Sequence, residues 1–238
     1  MGNAKYFQEV MSCYGVKHAL LVGPNSGYNT DNSCLLDAIA NAPNTFKGIA
    51  VVPNEISLEE LQNLKAQGII GVAFHPALMG VDFYSNIEPL LNKLQQLDMW
   101  AQFQVENDLL LNFLPMLSRV NVKLMFDHCG RPNLNAGISQ KGFQALLSLG
   151  REGRAVVKIS GFAKFSQQNF PFTDTRIFTE ALVRDFGLRN TVWASDWPYI
   201  KAPFRLDYGP MLCTYASLFN EDERHQLMWV SPKLHYGF

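Results

Sequence analysis

An imidazole and a carboxylate end two apolar segments of this 238-residue sequence, and both can take part in acid–base chemistry. His128 lies at the end of segment 122–129, and Asp196 lies at the end of segment 191–196. A general base must be a positioned group of tunable pKa, which either residue can supply. Taken singly, His128 can equally satisfy a loop, and Asp196 can equally cap a turn. Together they indicate a candidate catalytic pair.

Other polar residues stand where they can contact a ligand. His75 ends segment 70–75, and Lys158 lies in the middle of segment 156–160. If Lys158 points inward, it should pair with a carboxylate such as Asp196; if it points outward, its stem packs under a helix and its ammonium is in water. Ser26 and Tyr28, in loop 23–32, can donate to a substrate oxygen, although a turn-rich loop before a capped helix is the favoured explanation for either residue alone.

The elements that must position these residues alternate regularly. Seven strand-like segments are predicted, and each is followed by a helical pattern, which favours a parallel sheet with right-handed crossovers. The strands are predicted at 18–23, 47–52, 70–75, 100–106, 122–129, 156–160 and 191–196. The helices are predicted at 4–14, 31–42, 57–68, 84–97, 108–119, 140–149, 175–186 and from about Asn220.

The order of these elements predicts the α/β class and a (β/α)8 TIM-barrel-like fold over residues 1–238 as one domain. Because the pattern opens with a helix, the first strand of the barrel is apparently absent. Period-two alternation places His128 on the face of Leu124 and Phe126, and Asp127 on the opposite face. It places Asp196 on the face of Val192.

Composition narrows the range of partners. The net charge is −1, from 20 basic and 21 acidic residues, and no basic run is present, so we expect a small-molecule substrate and no nucleic acid. No apolar run is long enough to span a membrane, and no signal peptide pattern opens the sequence. The four cysteines form no C-x-x-C pair, and reduced thiols in the cytoplasm are the expectation.

Several motifs taken together resemble one branch of the amidohydrolase superfamily, which includes 2-pyrone-4,6-dicarboxylate lactonase and related lactone hydrolases. The motifs are FDHCGRP at 126–132, VKISG at 157–161, WASDWP at 193–198 and SPKLHYGF at 231–238. Each is weak singly, but their order and spacing are fairly specific, and the resemblance covers essentially the whole chain.

The resemblance implies a hydrolase that opens a lactone or related cyclic ester by water attack. His128 would polarise the carbonyl, Asp196 would take a proton from water, and Arg131 and Ser26 would hold substrate oxygens. It implies no certain cofactor, since some relatives work without metal. One divalent ion, zinc or manganese, is implied if an upstream first strand supplies the H-x-H motif that this sequence lacks.

Three departures from the family pattern bear on the substrate. The family often has arginine where Ala73 stands, another arginine near Lys164, and histidine in the lactonase where Tyr199 stands. Alanine cannot replace a bidentate arginine, and lysine replaces one poorly. A dicarboxylate substrate is therefore not the expectation, and Tyr199 is a candidate substrate contact.

Two alternatives stay open at this point. One is a metal-dependent decarboxylase on the same fold, with His128 and Asp196 among the ligands. The other is a non-catalytic, degenerate barrel. Loss of a strand leaves sheet edges exposed, and a homo-oligomer is one way to cover them.

Overall fold

Seven parallel strands form a single sheet in the computed structural model, which describes residues 3–24 and 27–238. They pair strictly in sequence order, from β1 to β7. The strands are β1 Ala19–Val22, β2 Phe46–Ala50, β3 Ile69–Phe74, β4 Trp100–Phe103, β5 Lys123–Phe126, β6 Ala155–Ile159 and β7 Thr191–Trp193. All seven predicted strands are present, which confirms a TIM-barrel-like fold without its first strand.

The sheet is open on one side, because β1 and β7 each pair with one neighbour among the described residues. Helix α1 (Ala4–Cys13) spans part of this opening. The Phe7 ring of α1 stacks on Trp197, beyond β7, with 4.7 Å between the ring centroids, and on Phe46 of β2 at 6.3 Å. Helix α1 therefore contacts both sides of the opening between β7 and β1, where a further strand of the sheet would fit.

Most predicted helices are present with shifted ends. The helices after α1 are α2 Ser33–Asn41, α3 Leu58–Ala66, α4 Pro76–Met79, α5 Glu88–Gln96, α6 Leu114–Leu117, α7 Lys141–Arg151, α8 Arg176–Phe186, α9 Tyr208–Ala216, α10 Glu221–His225 and α11 Ser231–Tyr236. Of these, α4, α9 and α11 were not predicted. The Ser57 and Glu60 side chains form the predicted capping box of α3. No helix in residues 3–24 and 27–238 has both the length and the apolar character of a membrane span.

Two helix predictions were wrong. Segment 108–119 is a 3-10 turn, Leu109–Asn112, followed by the short helix α6, because Pro115 has no N–H to donate and fits only the first turn of a helix. Helix α5 begins at Glu88 rather than at residue 84, again with a proline, Pro89, in its first turn. Helix α9 was not predicted, because its first turn contains Gly209 and Pro210, a pair more typical of turns.

Apolar side chains pack on both sides of the sheet. The larger cluster lies between the strands and the helices, and the smaller one lies on the inner face. The inner cluster contains Ile49, Val51, Ala73, Trp100, Met125, Val156, Val192 and Tyr236. Two residues further along β4, β5 and β6, on the same inner face, come Gln102, Asp127 and Lys158, all of them buried. The inner face thus changes from apolar to polar toward the carboxyl ends of the strands.

We predict that Phe7→Ala lowers the free energy of unfolding by about 3 kcal/mol, because a buried aromatic ring that bridges the two sides of the sheet is lost. Urea denaturation followed by circular dichroism measures the change. Tyr6→Ala, in the same helix but at a side chain that is 50% exposed, is the control and should cost less than half as much. Equal losses in the two variants would contradict the bridging role of Phe7.

Candidate active site

The backbone turns sharply where β5 ends, and this turn places His128. Asp127 is still extended (φ −80°, ψ 152°), whereas His128 and Cys129 have left-handed φ values of 52° and 57°. Simple alternation would place His128 on the outer face of the sheet with Leu124 and Phe126. These two residues belong to the larger cluster, between the strands and the helices. That face assignment was wrong: the left-handed turn directs the imidazole into the cavity at the mouth of the barrel.

His128 is 7% exposed and contacts polar groups from two other strand ends. Its Nδ1 lies 2.9 Å from Ser160 Oγ, just beyond β6, and its Nε2 lies 3.5 Å from Asp196 Oδ1, beyond β7. Gly161 makes this position possible, because a Cβ there would stand 2.7 Å from His128 Nδ1. The two residues predicted as a catalytic pair are therefore adjacent.

Asp196 follows β7 by three residues and also has a left-handed φ, 59°. Its second oxygen, Oδ2, lies 3.1 Å from Lys164 Nζ. The carboxylate is thus held between an imidazole and an ammonium group, one at each oxygen. Charge-assisted contacts of this kind offset the cost of removing a carboxylate from water.

The protonation state of His128 follows from its burial. Burial lowers the pKa of the imidazole, because it disfavours the charged form; the negative charges of Asp196 and Asp127 oppose this only in part. The net direction is downward from the ordinary value of about 6.5. His128 is therefore a neutral imidazole at neutral pH, able to donate one hydrogen bond and to accept another.

A second ionic group lies one layer deeper. Lys158 Nζ is 2.9 Å from Asp127 Oδ1 and donates to Gln102 Oε1 at 2.6 Å; Gln102 Nε2 donates to Asp127 Oδ2 at 2.8 Å. Burial is the largest single influence on the Asp127 pKa and would raise it, but the charges of Lys158, His128 and Lys164 and the Lys158 hydrogen bond together outweigh burial, so the net pKa is lowered. Lys158 thus points inward and pairs with a carboxylate, as predicted for the inward case, but the partner is Asp127 rather than the suggested Asp196, because Lys158 lies within β6, below the loop that carries Asp196.

The remaining predicted ligand contacts lie around a large cavity of about 1510 Å³. His75, at the end of β3, lines it, and burial together with the Arg131 charge lowers the pKa of this imidazole to about 4. Tyr28 lines the rim and is 53% exposed. Ser26 lies outside the described residues.

Arg131 and Tyr199 each have a buried polar atom without a hydrogen-bond partner among the described residues. Arg131 Nη2 binds Glu106 Oε2 at 2.9 Å, while its Nε is unpaired. The Tyr199 hydroxyl is likewise unpaired, and burial raises the pKa of this phenol, so it carries its proton. Arg131 lines the large cavity, whereas Tyr199 lies behind Asp196 and lines a smaller one. Unpaired buried donors are rare and call for a partner.

Sequence reasoning assigned no role to Asp127, Gln102 and Ser160. The signal for Gln102 and Asp127 was present: each stands two residues after a buried residue of its strand, so each continues the inner face. Ser160 shares a face with Lys158 and could have been placed by the same rule. Polar residues at inward positions near the carboxyl ends of parallel strands were the feature to look for.

The described side chains do not form a metal site. No group of three or more His, Cys, Asp and Glu residues within residues 3–24 and 27–238 is arranged to bind an ion. His128 and Asp196 offer two donors, whereas a catalytic zinc usually has three protein ligands. In addition, the Lys164 ammonium already holds Asp196 Oδ2, where a cation would bind. This donor set does not fit a divalent ion.

Comparison with known proteins identifies the family. The family model described as amidohydrolase matches residues 8–238. The chain belongs to the amidohydrolase family. Among curated relatives, 4-sulfomuconolactone hydrolase from Hydrogenophaga intermedia is 23% identical over 97% of this chain and 78% of its own. The protein of that name from Rhizobium radiobacter is 26% identical over 96% of this chain and 78% of its own.

Solved structures agree with this assignment. A probable 2-pyrone-4,6-dicarboxylic acid hydrolase from Acinetobacter baumannii, with citric acid bound, superposes with a TM-score of 0.86 at 28% identity and covers 99% of this chain and 89% of its own. An amidohydrolase from Burkholderia multivorans with bound zinc has a TM-score of 0.80 at 15% identity, covering 99% and 88%, and shows the shared fold. The chain is therefore an enzyme of the amidohydrolase family.

The lowered pKa of His75 predicts acid sensitivity. An unfolded histidine binds a proton below about pH 6.5, whereas folded His75 does so only near pH 4, so the unfolding free energy falls as the pH drops through this window. The added slope is at most about 1.4 kcal/mol per pH unit for one proton. Urea unfolding between pH 7.5 and pH 4.5 should show a shallower decline in His75→Gln than in the wild type. A wild-type slope in His75→Gln would refute the assignment.

Gly161→Ala should displace His128, because the new Cβ would stand 2.7 Å from the imidazole. Gly153→Ala is a matched control: both glycines have φ +67°, and nothing lies within 4 Å of the Cβ built at Gly153. Both variants should lose about 1–2 kcal/mol of stability from left-handed strain, but only Gly161→Ala should also shift the His128 imidazole signals in NMR. Unchanged His128 signals in Gly161→Ala would show that the close approach does not position the ring.

Proposed function

We propose that this enzyme hydrolyses a lactone, with Asp196 as the proton acceptor for the attacking water. The observation that supports this most directly is the Asp196 carboxylate, held between His128 Nε2 and Lys164 Nζ at the wall of a large cavity. A proton acceptor that is fixed by two partners, yet borders open space, meets the geometric requirement of general base catalysis. The curated relatives named as lactone hydrolases support the substrate class.

The proposed reaction has two stages. Water attacks the lactone carbonyl carbon and transfers a proton to Asp196, and the carbonyl oxygen becomes an oxyanion. The tetrahedral intermediate then collapses: the bond between the carbonyl carbon and the ring oxygen breaks, and the ring oxygen takes the proton from Asp196. The product is an open-chain hydroxy acid, and the carboxylate is regenerated.

His128 and Lys164 would stabilise the charge that develops on the carbonyl oxygen. In the tautomer whose Nδ1 accepts from the Ser160 hydroxyl, Nε2 of the neutral His128 ring carries the hydrogen and can donate it. The Lys164 ammonium is on the other side of the same carboxylate. Donors fixed in advance at the oxyanion position are a major source of catalytic rate.

The charges around the cavity favour a lactone with one anionic substituent. Lys158 is paired with Asp127 and Lys164 with Asp196. Arg131 is paired through Nη2 with Glu106, but its buried Nε has no partner among the described residues. That donor can hold one substrate carboxylate or sulfonate oxygen. Ala73 lines the cavity and offers no second charge.

Decarboxylation is the less supported alternative. The dihydroxybenzoate decarboxylases among the similar structures are only 12–13% identical and thus share the fold alone. One of them has bound manganese, and the described donor set of this chain does not fit such an ion. No step of the proposed reaction passes through a metal.

The test is a hydrolysis assay with 4-sulfomuconolactone, 2-pyrone-4,6-dicarboxylate and lactones that carry no, one or two carboxylates. We expect hydrolysis of a lactone with one anionic group, and a loss of kcat/KM in Asp196→Asn of about 10²- to 10⁴-fold, as for removal of a general base. Release of the hydroxy acid is followed by ultraviolet absorbance or chromatography.

Asp98→Asn is the matched control, since it makes the same chemical change at a carboxylate that is 74% exposed and pairs with Lys123. It should retain wild-type activity. Full activity in Asp196→Asn would remove Asp196 from the reaction, and failure to open any lactone in the panel would remove the proposed substrate class. Release of carbon dioxide from 2,6-dihydroxybenzoate in the presence of manganese would favour the decarboxylase.

A further inference from the structure

A second, much smaller cavity lies against the Lys164–Asp196 pair. Its volume is about 10 Å³, about the size that one water molecule requires. Besides Lys164 and Asp196, its wall includes Ser195 and Tyr199, and the remaining lining comes mainly from apolar side chains. It is therefore a space for one water at the rear of the candidate proton acceptor.

Tyr199 supplies the group that needs such a water. Its hydroxyl is buried and has no partner among the described residues, although buried hydroxyls are almost always hydrogen-bonded. Burial, with contributions from Tyr208 and Asp196, keeps the phenol protonated, so the hydroxyl is a donor. Tyr199, which carries an unpaired donor, thus lines the same small cavity as the Asp196 carboxylate.

The backbone fixes Tyr199 relative to Asp196. The Tyr199 N–H donates to the Asp196 carbonyl oxygen at 2.8 Å, which closes a four-residue turn. Tyr199 adopts a left-handed φ of 62° in this turn. The phenol and the carboxylate therefore belong to one rigid loop, and a water between them would have two fixed partners.

We propose that this cavity binds one water molecule, which accepts a hydrogen bond from the Tyr199 hydroxyl and donates one to the Asp196 carboxylate. This water is distinct from the attacking water, which would enter from the large cavity. Tyr199 is then a positioning residue: it acts on the reaction through Asp196, whose orientation gains a third contact beside His128 and Lys164. The catalytic part of this inference rests on the proposed lactone hydrolysis.

Crystallography tests the site without reference to activity. Structures of the wild type and of Tyr199→Phe at about 1.5 Å resolution should show one ordered water within about 3.2 Å of Tyr199 Oη and of an Asp196 oxygen in the wild type only. A cavity without density in the wild type, or a water that contacts neither group, would overturn the proposal. Retention of the same water in Tyr199→Phe would show that the hydroxyl does not hold it.

Kinetics with the best lactone from the panel test the positioning role. Tyr199→Phe should lower kcat about tenfold, the value of one hydrogen bond to a charged group, with KM changed less than twofold. Tyr6→Phe removes an exposed hydroxyl that lines neither cavity, and it should leave both constants unchanged. If kcat is unchanged in Tyr199→Phe although the wild type contains the water, Tyr199 has no positioning role in the reaction. If no lactone is hydrolysed, the crystal structures still decide whether the water site exists.

Discussion

The carboxylate of Asp196 depends on two partners that reach it from other strand ends. Lys164 follows β6 and His128 follows β5. Both contacts with Asp196 therefore require the observed register of β5, β6 and β7. A partly buried carboxylate without those partners would lack the contacts that offset its removal from water. The parallel pairing of three strands is therefore the structural requirement for one charged group in the cavity.

The layer below this group consists of a second set of compensated charges. Barrel interiors are ordinarily filled by apolar side chains, whereas Lys158, Asp127 and Gln102 here satisfy one another. Buried ion pairs often contribute little net stability, because desolvation offsets their attraction. Their effect is more clearly electrostatic. Lys158 and Asp127, in the layer below His128, contribute one positive and one negative charge, and the imidazole itself remains neutral.

The sequence predicted the strands well and the loops poorly, for a physical reason. Each buried strand is a short apolar run whose burial determines its place, so all seven were found, and the shared carboxyl ends correctly brought His128 and Asp196 together. The alternation rule failed at His128, because the backbone leaves the strand in a left-handed turn. Neither His128 nor Cys129 is a residue type that indicates such a turn. The partner of Lys158 was missed because alternation gives the face of a residue but not its depth. Segment 108–119 had helical periodicity, but Pro115 interrupts it locally.

Four residues that line the two cavities have a left-handed backbone conformation, which lowers the stability of the fold. His128, Arg131, Asp196 and Tyr199 all adopt a backbone conformation that glycine accepts without penalty and that costs other residues about 1–2 kcal/mol each. Their side chains, rather than their backbone, must account for their presence in these turns. Selection for thermostability alone would accordingly favour glycine at these positions, at the expense of the side chains that line the cavities.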